Sequence, residues 1–162
     1  WWIWSSTTTS PARRPRCGKT SHVFVTVGDG EADEGQIWEG AQFAAHYKLD
    51  HLICLIDDNK RQLDGTCEQV MGHAKGIGAK FDAFGWNVIN VADGNDMDQL
   101  KAAFDEAKTV KGMPTAIIMK TVKGKGVSFM ENKASWHGTA PNDEQYEVAM
   151  NELQEQLAGL TK

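Results

Sequence analysis

The stretch Val23-Phe24-Val25-Thr26-Val27-Gly28-Asp29-Gly30-Glu31-Ala32-Asp33-Glu34-Gly35 decides the fold. Five β-prone residues run into an acidic glycine turn, and beyond the turn the apolar positions switch to helical spacing. This is a strand, a turn and a helix. Working outward, the helix spans Glu34 to Leu49 and a second strand spans Leu52 to Asp57. A helix over His73 to Phe84 follows, with Ile77, Phe81 and Phe84 on one face and Gly76 and Gly78 weakening it. Trp86 to Val91 reads as the third strand. Asp96, with Gln99 three residues on, opens a further helix, and Pro114 to Thr121 is the fourth strand. Asn142 caps a last helix on which Tyr146, Ala149, Met150, Leu153 and Leu157 recur at helical spacing. Strands alternating with helices predict an α/β fold, a parallel sheet flanked by helices. In such sheets ligands sit beyond the carboxyl ends of the strands, so function is to be read after Val27, Asp57 and Thr121.

The 162 residues carry 17 Lys and Arg against 22 Asp and Glu, a net charge of −5, with 41% hydrophobic and 24% charged residues. That balance excludes a disordered scaffold and a bilayer span. Arg13, Arg14, Arg16 and Lys19 all lie in residues 1–21, which hold no acid, so the remainder is strongly acidic and has no basic stripe for nucleic acid. Residues 1–21 lack the long apolar region of a signal peptide and read as a tail, linker or non-native segment, with the folded domain at 22–162. Gly18-Lys19-Thr20 is not a phosphate-binding P-loop, because Arg13 stands where the first glycine belongs. Cys17, Cys54 and Cys67 form no CxxC pair, and their odd number fits a reducing cytoplasm better than a disulfide framework. Cys54, inside an apolar run, reads as a small buried hydrophobe. His22, His46, His51 and His73 carry no signal beyond surface placement.

The turn Gly28-Asp29-Gly30 before a helix start suits phosphate oxygens, but a dinucleotide fingerprint fails because Asp33 occupies the third glycine position. Asp29, Glu31, Asp33, Glu34 and Glu39 face no nearby base and would repel a bare pyrophosphate. A divalent cation reconciles the two, and Mg²⁺ takes only one or two carboxylates beside phosphate oxygens and water. An EF-hand is excluded, since its glycine position is Glu34 and its bidentate twelfth residue is Gly40. Asp57-Asp58-Asn59 ends the next strand on the same sheet edge. Asn59 offers a neutral amide oxygen and Arg61 a backbone carbonyl, so two strand ends converge on one cation.

Gly28-Asp29-Gly30 followed some thirty positions later by Asn59, together with Glu34, Glu39, Gln62-Leu63-Asp64-Gly65 and Trp136-His137-Gly138, resembles the transketolase family. The likeness is strongest to the N-terminal subunit of split, two-gene transketolases. The resemblance implies an incomplete thiamine diphosphate-binding domain over residues 22–162, with thiamine diphosphate and Mg²⁺ as cofactors. It implies that Asp29 and Asn59 bind Mg²⁺ by side chain and Arg61 by its carbonyl, that Gly28 and Gly30 face the diphosphate, and that Leu63 packs near the thiazolium ring. Glu34 and Glu39 match interface glutamates, the first communicating with the partner carboxylate that activates the aminopyrimidine, and His137 matches a histidine near the reacting centre. It also implies two-carbon ketol transfer between ketose and aldose phosphates, within the pentose phosphate pathway, by an assembly with a C-terminal subunit bearing the pyrimidine domain, a second copy, or both. Arg61 departs from the apolar residue that many members carry. Lys123-Gly124-Lys125-Gly126 reads equally as a flap over the site or as a solvated turn. The competing readings are a truncated, non-catalytic Mg²⁺- or diphosphate-binding module and a 1-deoxyxylulose phosphate synthase-like enzyme.

Overall fold

The computed structural model describes residues 21–160. The tail assigned to residues 1–21, Ser21 apart, and the rejected Gly18-Lys19-Thr20 motif lie outside the described residues. Within them the order is β1 (Val23–Gly28), α1 (Gly35–His46), β2 (Leu52–Asp57), β3 (Arg61–Gln62), β4 (Gly65–Thr66), α2 (Ile77–Ala83), β5 (Asn87–Val91), α3 (Met97–Thr109), β6 (Thr115–Met119) and α4 (Asp143–Leu160). One-turn 3₁₀ segments cover Glu31–Asp33 and Ala134–Trp136. Four strands form a parallel sheet in the order β1-β2-β6-β5, and its parallel pairing agrees with the sequence expectation. β3 and β4 pair as a short antiparallel hairpin where the sequence predicts only loop.

Register explains the placement of the site. Gly28 pairs with Asp57, Asp57 with Met119 and Met119 with Val91, so the strands finish level and their following loops share one edge. Apolar side chains alternate between the two faces of the sheet. Val25, Val27, Cys54, Ile56, Ala116 and Ile118 point to one side, packed with α1 and α2 residues. Ile53, Ile89, Val91 and Ile117 point to the other, beneath Ala103 and Ala107 of α3. Cys54 is a buried hydrophobe, as its apolar neighbours in the chain predict.

Helix ends follow their capping chemistry. Asp96 accepts from the amides of Asp98 and Gln99, at 2.9 and 3.3 Å. Asn142 and Gln145 exchange reciprocal side-chain to amide bonds at 2.9 and 3.0 Å, a complete capping box for α4. The helix expected from His73 begins only at Ile77, because Gly76 takes φ 81° at its N-cap. Gly78 lies inside α2 for a packing reason: a Cβ there would stand 3.3 Å from both Ile118 and Val88. The expected amphipathic face of α4 is mostly open, with Ala149 buried while Tyr146 and Leu153 stay in solvent. Phe24 on the outer edge of β1 is also exposed, its ring edge against Phe104.

Phe81 holds α2 to the core. Its ring lies 5.1 Å from Trp38 and 5.0 Å from Trp86, and Trp86 Nε1 donates to the Ala41 carbonyl of α1 at 2.9 Å. Phe81→Ala is expected to cost about 3–5 kcal/mol, read as a lower urea midpoint at unchanged slope.

Candidate functional site

Asp29 follows β1 directly, and its amide donates to the Asp57 carbonyl at 3.1 Å, extending the ladder by one bond. That bond carries the side chain inward, and Asp29 is only 2% exposed. Its Oδ2 accepts from the Cys67 thiol at 3.3 Å. A thiol is a weak donor, and among the described residues no Lys or Arg pairs with this carboxylate. A buried carboxylate so weakly matched favours a cation beside it.

The turn is built differently from the expected direct entry into a helix. Gly30 adopts helical angles, φ −70° and ψ −38°, and the 3₁₀ turn Glu31–Asp33 intervenes before α1. Gly28 donates its amide to the Glu31 carboxylate at 2.9 Å. Gly30 packs directly on Gln62, whose Cγ would lie 3.4 Å from a Cβ placed there. Trp38 Nε1 donates to the Ala32 carbonyl at 2.9 Å, fixing the turn to the helix that follows.

The second loop begins where Asp58 donates its amide to the Met119 carbonyl at 2.9 Å. Lys60 takes φ 62°, and Asn59 Oδ1 accepts from the Arg61 amide at 2.9 Å, an Asx turn that presents the amide group at the sheet edge and uses one of its lone pairs. Lys60 Nζ lies 2.7 Å from the buried Asp58 carboxylate, so Asp58 is already paired. Arg61 Nε donates to the Asn132 carbonyl at 3.2 Å, which turns the guanidinium toward the loop carrying His137. His137 is exposed, and Lys123 Nζ donates to its Nδ1 at 3.2 Å. An ammonium can only donate, so Nε2 carries the ring proton. Asp57 accepts from the Thr121 hydroxyl, tying the ends of β2 and β6 together.

The structure thus gathers Gly28, Asp29, Gly30, Asn59 and Arg61 along one edge. Leu63, 64% exposed on the hairpin, projects into solvent, and Glu34 and Glu39 on α1 are exposed as well. Glu34 is the N-cap of α1, yet its side chain makes no capping bond. Among the described residues there is no cluster of three or more His, Cys, Asp or Glu fit to hold a metal, and no helix long and apolar enough to cross a membrane.

Three residues beneath the turn receive no site role from the sequence, although Gln62 opens the Gln62-Leu63-Asp64-Gly65 motif. His73, expected at the surface, is 4% exposed at its side chain. Lys80 Nζ donates to its Nδ1 at 2.7 Å, so Nε2–H faces the Asp29 carbonyl at 3.3 Å and Asp33 Oδ1 at 3.5 Å. Asp33 therefore does have a base beside it, which corrects the expectation of an acidic turn without one. Gln62 and Cys67 complete the group, with Gln62 Nε2 donating to Asp33 Oδ2 at 2.8 Å and to the Met71 carbonyl at 3.0 Å. No periodicity marks these residues, because their meeting depends on the β3–β4 hairpin.

Fold and site together define an α/β domain with its candidate site at the carboxyl edge of a parallel sheet. Residues 12–157 match the family model described as "Transketolase, thiamine diphosphate binding domain", and the chain belongs to this family. It is 40% identical over 136 residues to the 6-deoxy-6-sulfo-D-fructose transketolase subunit SqwG of Clostridium sp. (strain MSTE9), covering 84% of this chain and 49% of that protein. It is 40% identical over 140 residues to an apulose-4-phosphate transketolase subunit of Phocaeicola vulgatus, covering 86% and 49%. The chain spans about half the length of these relatives. The crystal structure of transketolase from Campylobacter jejuni superimposes with a TM-score of 0.74 at 27% identity, over 82% of this chain and 20% of that one. The expected thiamine diphosphate-binding fold and the likeness to N-terminal subunits of split transketolases are both borne out.

Burial pushes the Cys54 thiol up to about 12, with Glu31 adding to the shift. Burial, then the hydrogen bond to Asp29, pushes Cys67 up to about 11. Both should resist thiol reagents at pH 8 until the chain is unfolded. The unfolded chain gives up the Cys54 proton near its ordinary value of 9 and the folded chain only near 12, so the folded state binds more protons in between. Stability should therefore fall as pH rises above 9, with a smaller fall in Cys54→Ala, measured as urea midpoints at pH 8 and 10.

Proposed function

We propose that this chain holds thiamine diphosphate through Mg²⁺ at the carboxyl edge of its sheet, as the cofactor-binding part of a two-carbon ketol transferase. The observation that carries the reading is Asp29: a buried carboxylate with a weak donor and no basic partner among the described residues, at the end of the strand beside the Asn59 loop. The donor set fits the cation by its chemistry. One carboxylate, one amide oxygen and one carbonyl are hard oxygen ligands, and Mg²⁺ uses few carboxylates when phosphate oxygens and water fill its octahedron. Asp29 and Asn59 would hold it by side chain and Arg61 by carbonyl. Among the described residues the Gly30 amide stays outside the turn's own backbone bonds, and with Gly28 it would line the diphosphate.

When bound, thiamine diphosphate supplies the carbon nucleophile that accepts the two-carbon unit. The chain's own residues position it. His137, with Nδ1 accepting from Lys123, would offer its Nε2 proton to the bound group, and exposed Leu63 would offer an apolar contact for the ring. Glu34, exposed and without a capping bond, would meet a carboxylate from another chain. Ketose and aldose phosphates as substrates, a separate pyrimidine-domain subunit or a second copy in a dimer, and a reducing cytoplasm complete the reading. The names of the relatives, subunits of transketolases, favour it over the non-catalytic module and the 1-deoxyxylulose phosphate synthase-like enzyme.

The test is reconstitution with a separately expressed pyrimidine-domain subunit of a split transketolase. Two-carbon transfer from a ketose phosphate to an aldose phosphate, with no turnover of pyruvate, is expected. Asp29→Ala should lower it by more than the roughly 10–100-fold typical of outer partners of a metal site. A verified complex that is inactive, or that consumes pyruvate instead, overturns the reading.

A further inference from the structure

Gln62 is 8% exposed, stands one residue before Leu63 and faces away from solvent beneath the acidic turn. Its amide nitrogen has two protons and three acceptors: Asp33 Oδ2 at 2.8 Å, the Met71 carbonyl at 3.0 Å and Cys67 Sγ at 3.6 Å. The same side chain supports Gly30 from below, where a Cβ would be 3.4 Å from its Cγ. The two oxygen acceptors take the two amide protons, and the sulfur is a longer, shared third contact that packs the Cys67 side chain against the amide. The thiol donates its own proton to Asp29 Oδ2, 3.3 Å away. Asp29 Oδ2 is thus fixed, and Oδ1 carries no hydrogen bond from the described residues. The Asp33 bond holds the far end of the same turn, so one side chain touches Gly30 through its stem and Asp33 through its amide.

We infer that Gln62 is a positioning residue for the cation site, aiming the free oxygen of Asp29 through Cys67 and holding the Gly28–Asp33 turn through Asp33. The inference rests on the Mg²⁺ reading above. It differs from a purely structural role in what it predicts: the cation's affinity changes by more than the fold's stability can account for. Partners one step behind a metal ligand typically contribute about 10–100-fold in affinity.

The experiment uses the full chain and reads the Mg²⁺ concentration giving half of the rise in melting temperature at saturating thiamine diphosphate, alongside the melting temperature without ligands. Gln62→Met keeps length and removes the donors, and its Mg²⁺ midpoint is expected to rise about tenfold or more. Cys67→Ala should raise it too, Cys67→Ser should restore it by supplying a hydroxyl proton, and Gln62→Met combined with Cys67→Ala should cost less than the product of the two. If Gln62→Met fails to fold, the two Cys67 variants still decide. A lowered ligand-free melting temperature with an unchanged Mg²⁺ midpoint overturns the inference and leaves the functional reading standing. No Mg²⁺-dependent rise in the unaltered chain overturns both.

Discussion

An aspartate with 2% of its surface in contact with solvent, Asp29, is the constraint around which this end of the molecule is organised. Taking an ionised carboxylate out of water costs several kcal/mol unless charge or hydrogen bonds compensate. Around Asp29 the described residues supply a thiol proton, the neutral dipoles of a turn and a histidine that contacts its backbone carbonyl, but no ammonium or guanidinium. The acids nearby are handled otherwise. Asp58 has Lys60, Asp33 has Gln62 and His73, and Glu31 takes the Gly28 amide. Among these four acids, Asp29 is the one left for something that arrives from outside.

The sheet provides the means. Parallel strands that end level place Asp29, Asn59 and the loop after β6 side by side, although they are far apart in the chain. Packing covers both faces behind that edge, with α1 and α2 over one face and α3 over the other. The outer parts of the site are open by contrast: Leu63, Glu34, Glu39 and His137 are exposed, as are Phe24 on β1 and the apolar residues along α4. A packed inner shelf with an open rim agrees with the proposal that another surface completes the site.

Much of this is legible in the residues. Val23 to Val27 and Leu52 to Asp57 each read as a strand followed by hard oxygen donors, because apolar runs and strand-end acids are local signals. The caps at Asp96 and Asn142 are legible for the same reason. What escapes is non-local. The 3₁₀ turn before α1 and the late start of α2 depend on backbone angles at Gly30 and Gly76 that composition does not specify. His73 looks like a surface residue in the sequence because its partners are the acidic turn at Asp29 and Asp33 and Lys80 of α2, which lie in opposite directions along the chain. Gln62 sits inside a recognisable motif, yet its partners Asp33 and Met71 become neighbours only after folding.

That Asp29 and Asn59 form the cation end of the thiamine diphosphate site is most directly tested by anomalous diffraction from crystals grown with thiamine diphosphate and Mn²⁺ in place of Mg²⁺. One strong peak is expected at the sheet edge, with oxygens of Asp29, Asn59 and the diphosphate within about 2.2 Å of it. A peak held by Glu31 or Asp58 instead, or a diphosphate bound with no metal beside Asp29, would contradict that assignment.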